Sequence, residues 1–264
     1  MRITVLAENT SCRADVGAEH GLSLFIETGD KKLLFDFGQT GLFAENARAL
    51  GVDLSSVELG FLSHGHYDHG GGLGEFLGIN PKAPVYLSRY AFGGHYNALD
   101  KYIGLDGALE GCSRLCFCDG VTPVAPGITL YGGKSPAPLG TLGSRGMKLK
   151  TENGLCPDPF DHEQYLVIEE GGKRFLFSGC SHRGAWEICR YFSPDYFIGG
   201  FHFSKTDPQT KEGRALLTAE GEKLSREDTV YYTCHCTGQA QFEFLKDKLG
   251  ERLFYLSSGM TVSI

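Results

Sequence analysis

The run Ser63-His64-Gly65-His66-Tyr67-Asp68-His69-Gly70-Gly71-Gly72 decides how the rest of the chain is read. It follows residues 57–62, an apolar stretch that predicts a strand inside a sheet. Side chains two apart on extended backbone point the same way, so His64 and His66 can hold one ion together. The chain then turns, which throws Asp68 and His69 to the other side, available to a second ion. The three glycines let the backbone bend sharply behind the last of these residues and start a helix close by. Imidazole nitrogens mixed with one carboxylate oxygen suit zinc first, with iron or manganese as alternatives. Four such side chains within six residues rarely arise without a metal.

Upstream, residues 1–6, 22–27 and 32–37 are short β-branched or aromatic runs, which predict a meander ending at Asp36-Phe37-Gly38. Phe43, Ala47 and Leu50 share one face over 42–50, with Gly51 as the stop, which predicts a helix. Downstream, 85–87 reads as a strand and 90–101 as a helix. The stretch 104–159 is rich in Gly and Pro and holds short strand candidates such as 128–131; it reads as a lid-like segment at about residues 104–160. Strands follow at 164–169, 174–178, 196–199 and 229–233, with helices at 184–192, 210–223 and 239–249. Two short strands close the chain, at 252–256 and 261–264. Strands with helices between them, in two loosely similar halves, predict two sheets with helices outside, in one domain over residues 1–264.

The chain has 264 residues, 41% hydrophobic and 22% charged, which is ample material for a core. A formal net charge of -7 argues against a broad phosphate-binding surface and against binding to an anionic membrane, so no nucleic acid partner is expected. No apolar run approaches the ~20 residues a membrane helix needs. The opening MRITVLAENTSC reads as a first strand and not as a signal peptide. Nine unevenly spread cysteines argue against a disulfide framework and for a cytoplasmic location. Cys112, Cys116 and Cys118 have a spacing that no common zinc frame shares, so they read as reduced thiols.

His64-x-His66-x-Asp68-His69 after an apolar strand resembles the signature of the metallo-β-lactamase-fold superfamily, and the resemblance covers nearly the whole chain. Asp36-Phe37-Gly38 resembles that fold's Asp-x-Gly turn. Phe175-Leu176-Phe177-Ser178-Gly179-Cys180 resembles its later strand ending in Gly-Asp, and His235 its last histidine ligand. Glu19-His20-Gly21-Leu22-Ser23, Gly179-Cys180-Ser181-His182, Gly199-Gly200-Phe201-His202 and His235-Cys236-Thr237-Gly238 narrow the resemblance to one branch. That branch is related to dihydropteroate synthase and includes dihydropterin–ribofuranosylaminobenzene-phosphate synthase-like proteins. The resemblance implies an α+β chain folded as an αββα sandwich of two mixed β-sheets, with helices on the outer faces and metals at one edge between the sheets.

Within that resemblance, Cys180 stands where the superfamily usually has a bridging aspartate. It is either a soft ligand or a small buried side chain beside the site. His182 is the preferred replacement for the usual third histidine, with a role in steadying another ligand as its alternative. His162 lies near that histidine's place but is not favoured. Alternation along the chain puts Cys234 and Cys236 opposite His235, as packing residues. His95, near Tyr90 and Tyr96, reads as an ordinary surface residue.

Two divalent ions ~3.5–4 Å apart can hold a hydroxide and lower its pKa toward neutrality. The expected function is therefore a metal-dependent hydrolase, or a closely related transferase, using a metal-bound hydroxide on a small anionic substrate, phosphorylated or pterin-like. Its metal ligands are then His64, His66, Asp68, His69, Cys180, His182 and His235. Asp68 also orients the nucleophile, and His202 or His182 supplies the leaving group's proton. His20, His202 and Arg145 are the expected substrate contacts, although a structural role is open for His202. Arg145 belongs to a small basic cluster with Lys148 and Lys150, for which solvated surface charge is the other reading. The alternatives are a non-catalytic metal- or ligand-binding module and, against the net charge, a nuclease.

Overall fold

Period-2 alternation along the strands divides the apolar side chains between one shared interior and two outer faces. A computed structural model describes residues 1–133 and 145–264. Strands β1 (Arg2–Ala7), β2 (Ser23–Thr28) and β3 (Lys31–Phe35) form an antiparallel meander. Helix α1 (Leu42–Ala49) leads into β4 (Leu59–Phe61), which runs parallel to β3. Helices α2 (Tyr67–Gly70) and α3 (Leu73–Ile79) precede β5 (Val85–Ser88). A short strand β6 (Gly94–Tyr96) follows, and β7 (Leu115–Cys118) pairs parallel with β5.

The chain then crosses to a second sheet through β8 (Val121–Ala125) and β9 (Ile128–Tyr131). Strands β10 (Lys148–Thr151) and β11 (Gly154–Pro157) join β6 in a separate three-stranded sheet. Next come β12 (Tyr165–Glu170) and β13 (Lys173–Ser178), then α4 (Ala185–Phe192), β14 (Tyr196–Gly199), α5 (Lys211–Ser225) and β15 (Val230–Thr233). The final elements are α6 (Gln239–Leu249), β16 (Leu253–Tyr255) and β17 (Thr261–Ser263), the last returning beside β1. The two large sheets each have seven strands, in the orders β17-β1-β2-β3-β4-β5-β7 and β16-β15-β14-β13-β12-β9-β8.

Leu33 and Phe35 of β3 and Phe175 and Phe177 of β13 point into the interior between the sheets. Leu34 faces α1 and α3, where Phe43, Leu73 and Phe76 cover it. Leu176 faces α4, α5 and α6 with Ile188, Leu217 and Leu245. Helices thus cover both outer faces, and the chain is the expected αββα sandwich of two mixed sheets.

Several local expectations change. Residues 90–101 do not form a helix: Gly94–Tyr96 is extended and pairs with Lys148–Lys150 of β10. The adjacent Gly93 and Gly94 weaken a helix there, and the Lys150 side chain occupies the space a Gly94 Cβ would need, 2.9 Å away. Part of the Gly/Pro-rich stretch builds sheet: β7, β8 and β9 all lie within it, while residues 134–144 fall outside the described residues. Gly71 and Gly72 do not bend the chain through a left-handed conformation, since their φ values are -63° and -81°. They are required because a Cβ on either would sit 2.1 Å from a carbonyl oxygen, of Gln39 or Phe37. The glycine run lets the 37–39 loop lie against the start of α3. Among the described residues, no helix is long and apolar enough to cross a membrane.

Gly199 ends β14 with φ 143°, and a Cβ there would lie 1.6 Å from the Ser178 carbonyl oxygen of the paired strand. Gly199→Ala is expected to cost about 2–4 kcal/mol. Gly29→Ala, in open space at φ 56°, is the control and should cost about 1 kcal/mol. Urea midpoints check both, and equal midpoints would contradict this packing.

Candidate metal centre

In a mixed sandwich, the carboxyl ends of neighbouring parallel strands gather at one edge, where the chain must turn. Here β1, β3, β4, β13, β14 and β15 deliver Glu8, Asp36, Ser63, Cys180, His202 and His235 to the same edge. Four of the turns use non-glycine residues at positive φ: Asp36 (60°), Ser181 (57°), His202 (57°) and His235 (49°). Backbone strain of this kind gathers where a site over-determines the conformation.

Hydrogen bonds fix the tautomers of the histidines. Asp36 is fully buried, and its Oδ1 accepts from the Ser63 N–H at 2.7 Å. Its Oδ2 accepts from the Ser63 hydroxyl at 2.7 Å and from His69 Nδ1 at 2.6 Å. Because the Ser63 hydroxyl proton is used on Asp36, Ser63 Oγ accepts from His64 Nδ1 at 2.9 Å. Nε2 of both His64 and His69 is therefore the atom presented to the site. Asn9 works the same way on the opposite side: its Oδ1 accepts from His235 Nδ1 at 2.7 Å, and its amide contacts His20 Nδ1 at 3.3 Å.

The freed atoms converge. His64 Nε2 lies 3.3 Å from His182 Nε2. His69 Nε2 lies 3.2 Å from His235 Nε2 and 3.2 Å from Cys180 Sγ. Asp68 Oδ2 is 3.2 Å from His20 Nε2 and 3.4 Å from His235 Nε2. Such contacts oppose lone pairs unless a proton or cation lies between them. An edge of about 3.3 Å is also what a tetrahedron with ~2.0–2.1 Å metal–nitrogen arms requires. Donor atoms of His64, His66 and His182 lie within 4.8 Å of one another, as do those of His64, His69 and Cys180, and of His20, Asp68 and His235. His66 Nε2 is buried and makes no hydrogen bond. The donor set therefore fits the metals that the sequence resemblance implies.

The seven expected ligands are thus brought to one edge, and His20 and His202 line the same cavity of about 210 Å³. Arg145 stands apart from that lining; its guanidinium bonds the Thr206 hydroxyl, close enough to His202 to bear on its charge. Lys148 pairs with Asp100.

Two expectations about the site are corrected. His95 is buried and not at the surface: its Nδ1 donates to Asp158 at 2.9 Å, and its ring lies 3.8 Å from that of His162. His162 Nδ1 accepts from the Gly65 N–H at 2.9 Å, so its proton sits on Nε2, facing Asp158 at 3.4 Å. That tautomer leaves His162 no lone pair for an ion. Cys236 does not lie opposite His235, because strict alternation fails at His235, where φ is 49° and a 3-10 turn begins. Cys236 faces Cys180, while Cys234 stays between the sheets. His202 is placed at the cavity wall, and burial, then His182 and Arg145, push it well below its ordinary pKa. Burial thus disfavours its charged form and leaves a neutral ring suited to hydrogen-bonding.

Sequence reasoning also missed two buried carboxylates that hold the ligand loops. Glu163 accepts from the His182 N–H at 2.6 Å, and Glu8 from the His235 N–H at 2.6 Å. Neither stands out by spacing: Glu8 follows the apolar run of β1, and Glu163 lies in the acidic stretch Asp158-Pro159-Phe160-Asp161-His162-Glu163. Lys205, exposed at the cavity rim three residues after His202, was missed as well.

The site makes a pH prediction. Burial pushes His162 down to about 4 and His235 down to about 4, and it lowers His64, His66 and His202 as well. Burial also works against charge on His69, but Asp36 and Asp68 raise it overall. An unfolded histidine titrates near 6.5, so between about 4 and 6.5 the unfolded chain binds more protons. The contribution from the lowered histidines is present above pH 6.5 and lost as pH falls toward 4. Chelator-treated protein should therefore have a lower urea midpoint at pH 5 than at pH 7, and an unchanged or higher midpoint would contradict neutral buried histidines.

Comparison with known proteins agrees with this architecture. The sequence profile of the metallo-beta-lactamase superfamily matches residues 16–226. An uncharacterized protein of Methanocaldococcus jannaschii is 36% identical over 254 residues, 89% of this chain and 90% of that one. A 7,8-dihydropterin-6-methyl-4-(beta-D-ribofuranosyl)-aminobenzene-5'-phosphate synthase of the same organism is 27% identical over 285 residues, 94% of this chain and 91% of the other. Among solved structures, Tm1679, a metal-dependent hydrolase of the beta-lactamase superfamily, superposes with a TM-score of 0.82 at 27% identity, over 100% of this chain and 99% of that one. With its signature histidines gathered at the edge of an αββα sandwich, the chain belongs to the metallo-β-lactamase superfamily and has its metal-dependent hydrolase fold.

Proposed function

We propose that the protein is a hydrolase, or a closely related transferase, with a binuclear metal centre acting on a small anionic metabolite. The observation that carries this reading is the convergence of imidazole nitrogens at 3.2–3.3 Å, with the tautomers of His64, His69 and His235 fixed by hydrogen bonds, beside Asp68 and Cys180. In this reading His64, His66 and His182 would hold one ion and Asp68, His69 and His235 the other, with Cys180 a further donor beside them. Two such ions polarise a carbonyl or phosphoryl oxygen and activate water. Zinc suits this mixed nitrogen, oxygen and sulfur set best.

The chain's own groups supply the rest. Asp68 is held well below the usual carboxylate range: burial works against this, and the neighbouring His69 with the hydrogen bond from His20 outweighs it. It therefore stays ionised and fixed in orientation at the cavity wall. His202, whose charged form burial disfavours, hydrogen-bonds the substrate. A cavity of about 210 Å³ is smaller than the ~300–1,000 Å³ usual for whole ligands. It takes the reacting end of the substrate, and the remainder extends over the rim. Lys205 and Arg145 meet there around a second cavity lined also by Thr206 and Thr210, where a phosphate or carboxylate would find positive charge. The synthase among the relatives adds weight to a phosphorylated, pterin-like molecule.

Purified protein is expected to carry about two zinc or iron ions per chain by elemental analysis, and His66→Ala sharply fewer. In a screen of phosphoesters, diphosphates and lactones, any turnover should fall at least ~100-fold in that variant. Metal without turnover on any of these, or on RNA, would move the binding-module reading ahead; one ion or fewer after reconstitution would reject the binuclear centre. Asp36→Asn should weaken metal affinity about 10–100-fold while the protein stays folded, because the side chain that orients His69 loses its charge. Competition with a chromophoric chelator measures this, and unchanged affinity would contradict the role given to Asp36.

A further inference from the structure

Cys236 lies outside every ligand position the sequence suggested, yet it shares the buried cavity wall with Cys180 and His235. Donor atoms of the three residues all lie within 4.8 Å of one another. The arrangement is built and not incidental. His235 adopts φ 49°, which carries the next residue inward and not to the opposite face. The turn is held by the Thr237 N–H on the Cys234 carbonyl at 3.0 Å, and by Thr237 Oγ1 accepting from the Phe201 N–H at 2.8 Å. Across from it, a Cβ on Gly200 would lie 2.3 Å from Cys236 Sγ, so the thiol fills space that only glycine leaves. Among the described residues its thiol donates to the Cys180 carbonyl oxygen at 3.6 Å, a weak bond, and its sulfur lies against the Cys180 thiol, the other soft donor of the group.

We propose that Cys236 is a second thiolate ligand of the metal centre, so that one position is framed by His235, Cys180 and Cys236. This rests on the metal-centre reading above and adds to it a sulfur donor that the superfamily signature does not contain. Ligation breaks the S–H bond and releases the proton to solvent as the sulfur–metal bond forms. Two soft donors at one position make it a site for zinc or ferrous iron in preference to manganese.

X-ray absorption of the unaltered, zinc-loaded protein tests this without a substitution. Two sulfur scatterers per chain at ~2.3 Å are expected, and one or none would overturn the proposal. The cobalt-substituted protein gives a second readout in the thiolate-to-metal charge-transfer band. Cys236→Ser and Cys180→Ser should each retain about half of the wild-type intensity, and the double variant none. A band undiminished in Cys236→Ser would overturn the assignment. If Cys236→Ser does not fold, the sulfur count on the unaltered protein decides. Unaltered protein that takes up no ion at all would remove the metal-centre reading together with this one, whereas ions bound with a single sulfur would remove only this one.

Discussion

The buried carboxylate of Asp36 is the constraint on which the candidate site depends. It ties the end of β3 to the end of β4 through the Ser63 N–H and hydroxyl, and it fixes His69 directly and His64 through Ser63. A buried carboxylate without partners would be costly, and three short hydrogen bonds remove that cost while deciding where the imidazole protons sit. Glu8 and Glu163 repeat the device by holding the loops of His235 and His182 through backbone N–H groups. Each ligand loop is thus anchored by an acid packed beneath it.

Around this frame the backbone is strained in the places that face the cavity. Asp36, Ser181, His202 and His235 all sit at positive φ in the turns that follow strand ends. The cost of such conformations, on the order of 1–3 kcal/mol each, is met by the interior between the sheets, where Phe35, Phe61, Phe177 and Ile198 are fully buried directly behind the loops. The result is a rigid rim carrying groups of opposite tendency. Five histidines are lowered by burial, while His69 is raised by the two aspartates beside it. A further layer, His95 on Asp158 with His162 alongside, lies next to the His66 ring and steadies it from behind.

Much of this was legible in the chain before any geometry. The strands from Tyr196 to Gly199 and the helix from Gln239 to Leu249 begin and end where their patterns do, because an apolar run bounded by turn residues, or a helical stripe closed by Gly250, needs no distant partner. Where the pattern misled, a distant partner was responsible. Residues 94–96 form a strand because Lys148–Lys150 comes alongside. His95 is buried because Asp158, far along the chain, comes to meet it.

The sequence by itself determined two sheets with helices outside and the run from His64 to His69, since spacing along a strand and the turn after it dictates which side chains share a face; Cys180, His182 and His235 were reached only through the family resemblance. The tertiary structure decided which nitrogens of His64, His69 and His235 face the centre, the exclusion of His162, the burial of His202 and the inward turn of Cys236. Those properties depend on what a side chain meets across the sheet edge, and on how deeply it is buried. Both are set when two sheets close over one another, and neither is written in the local order of residues.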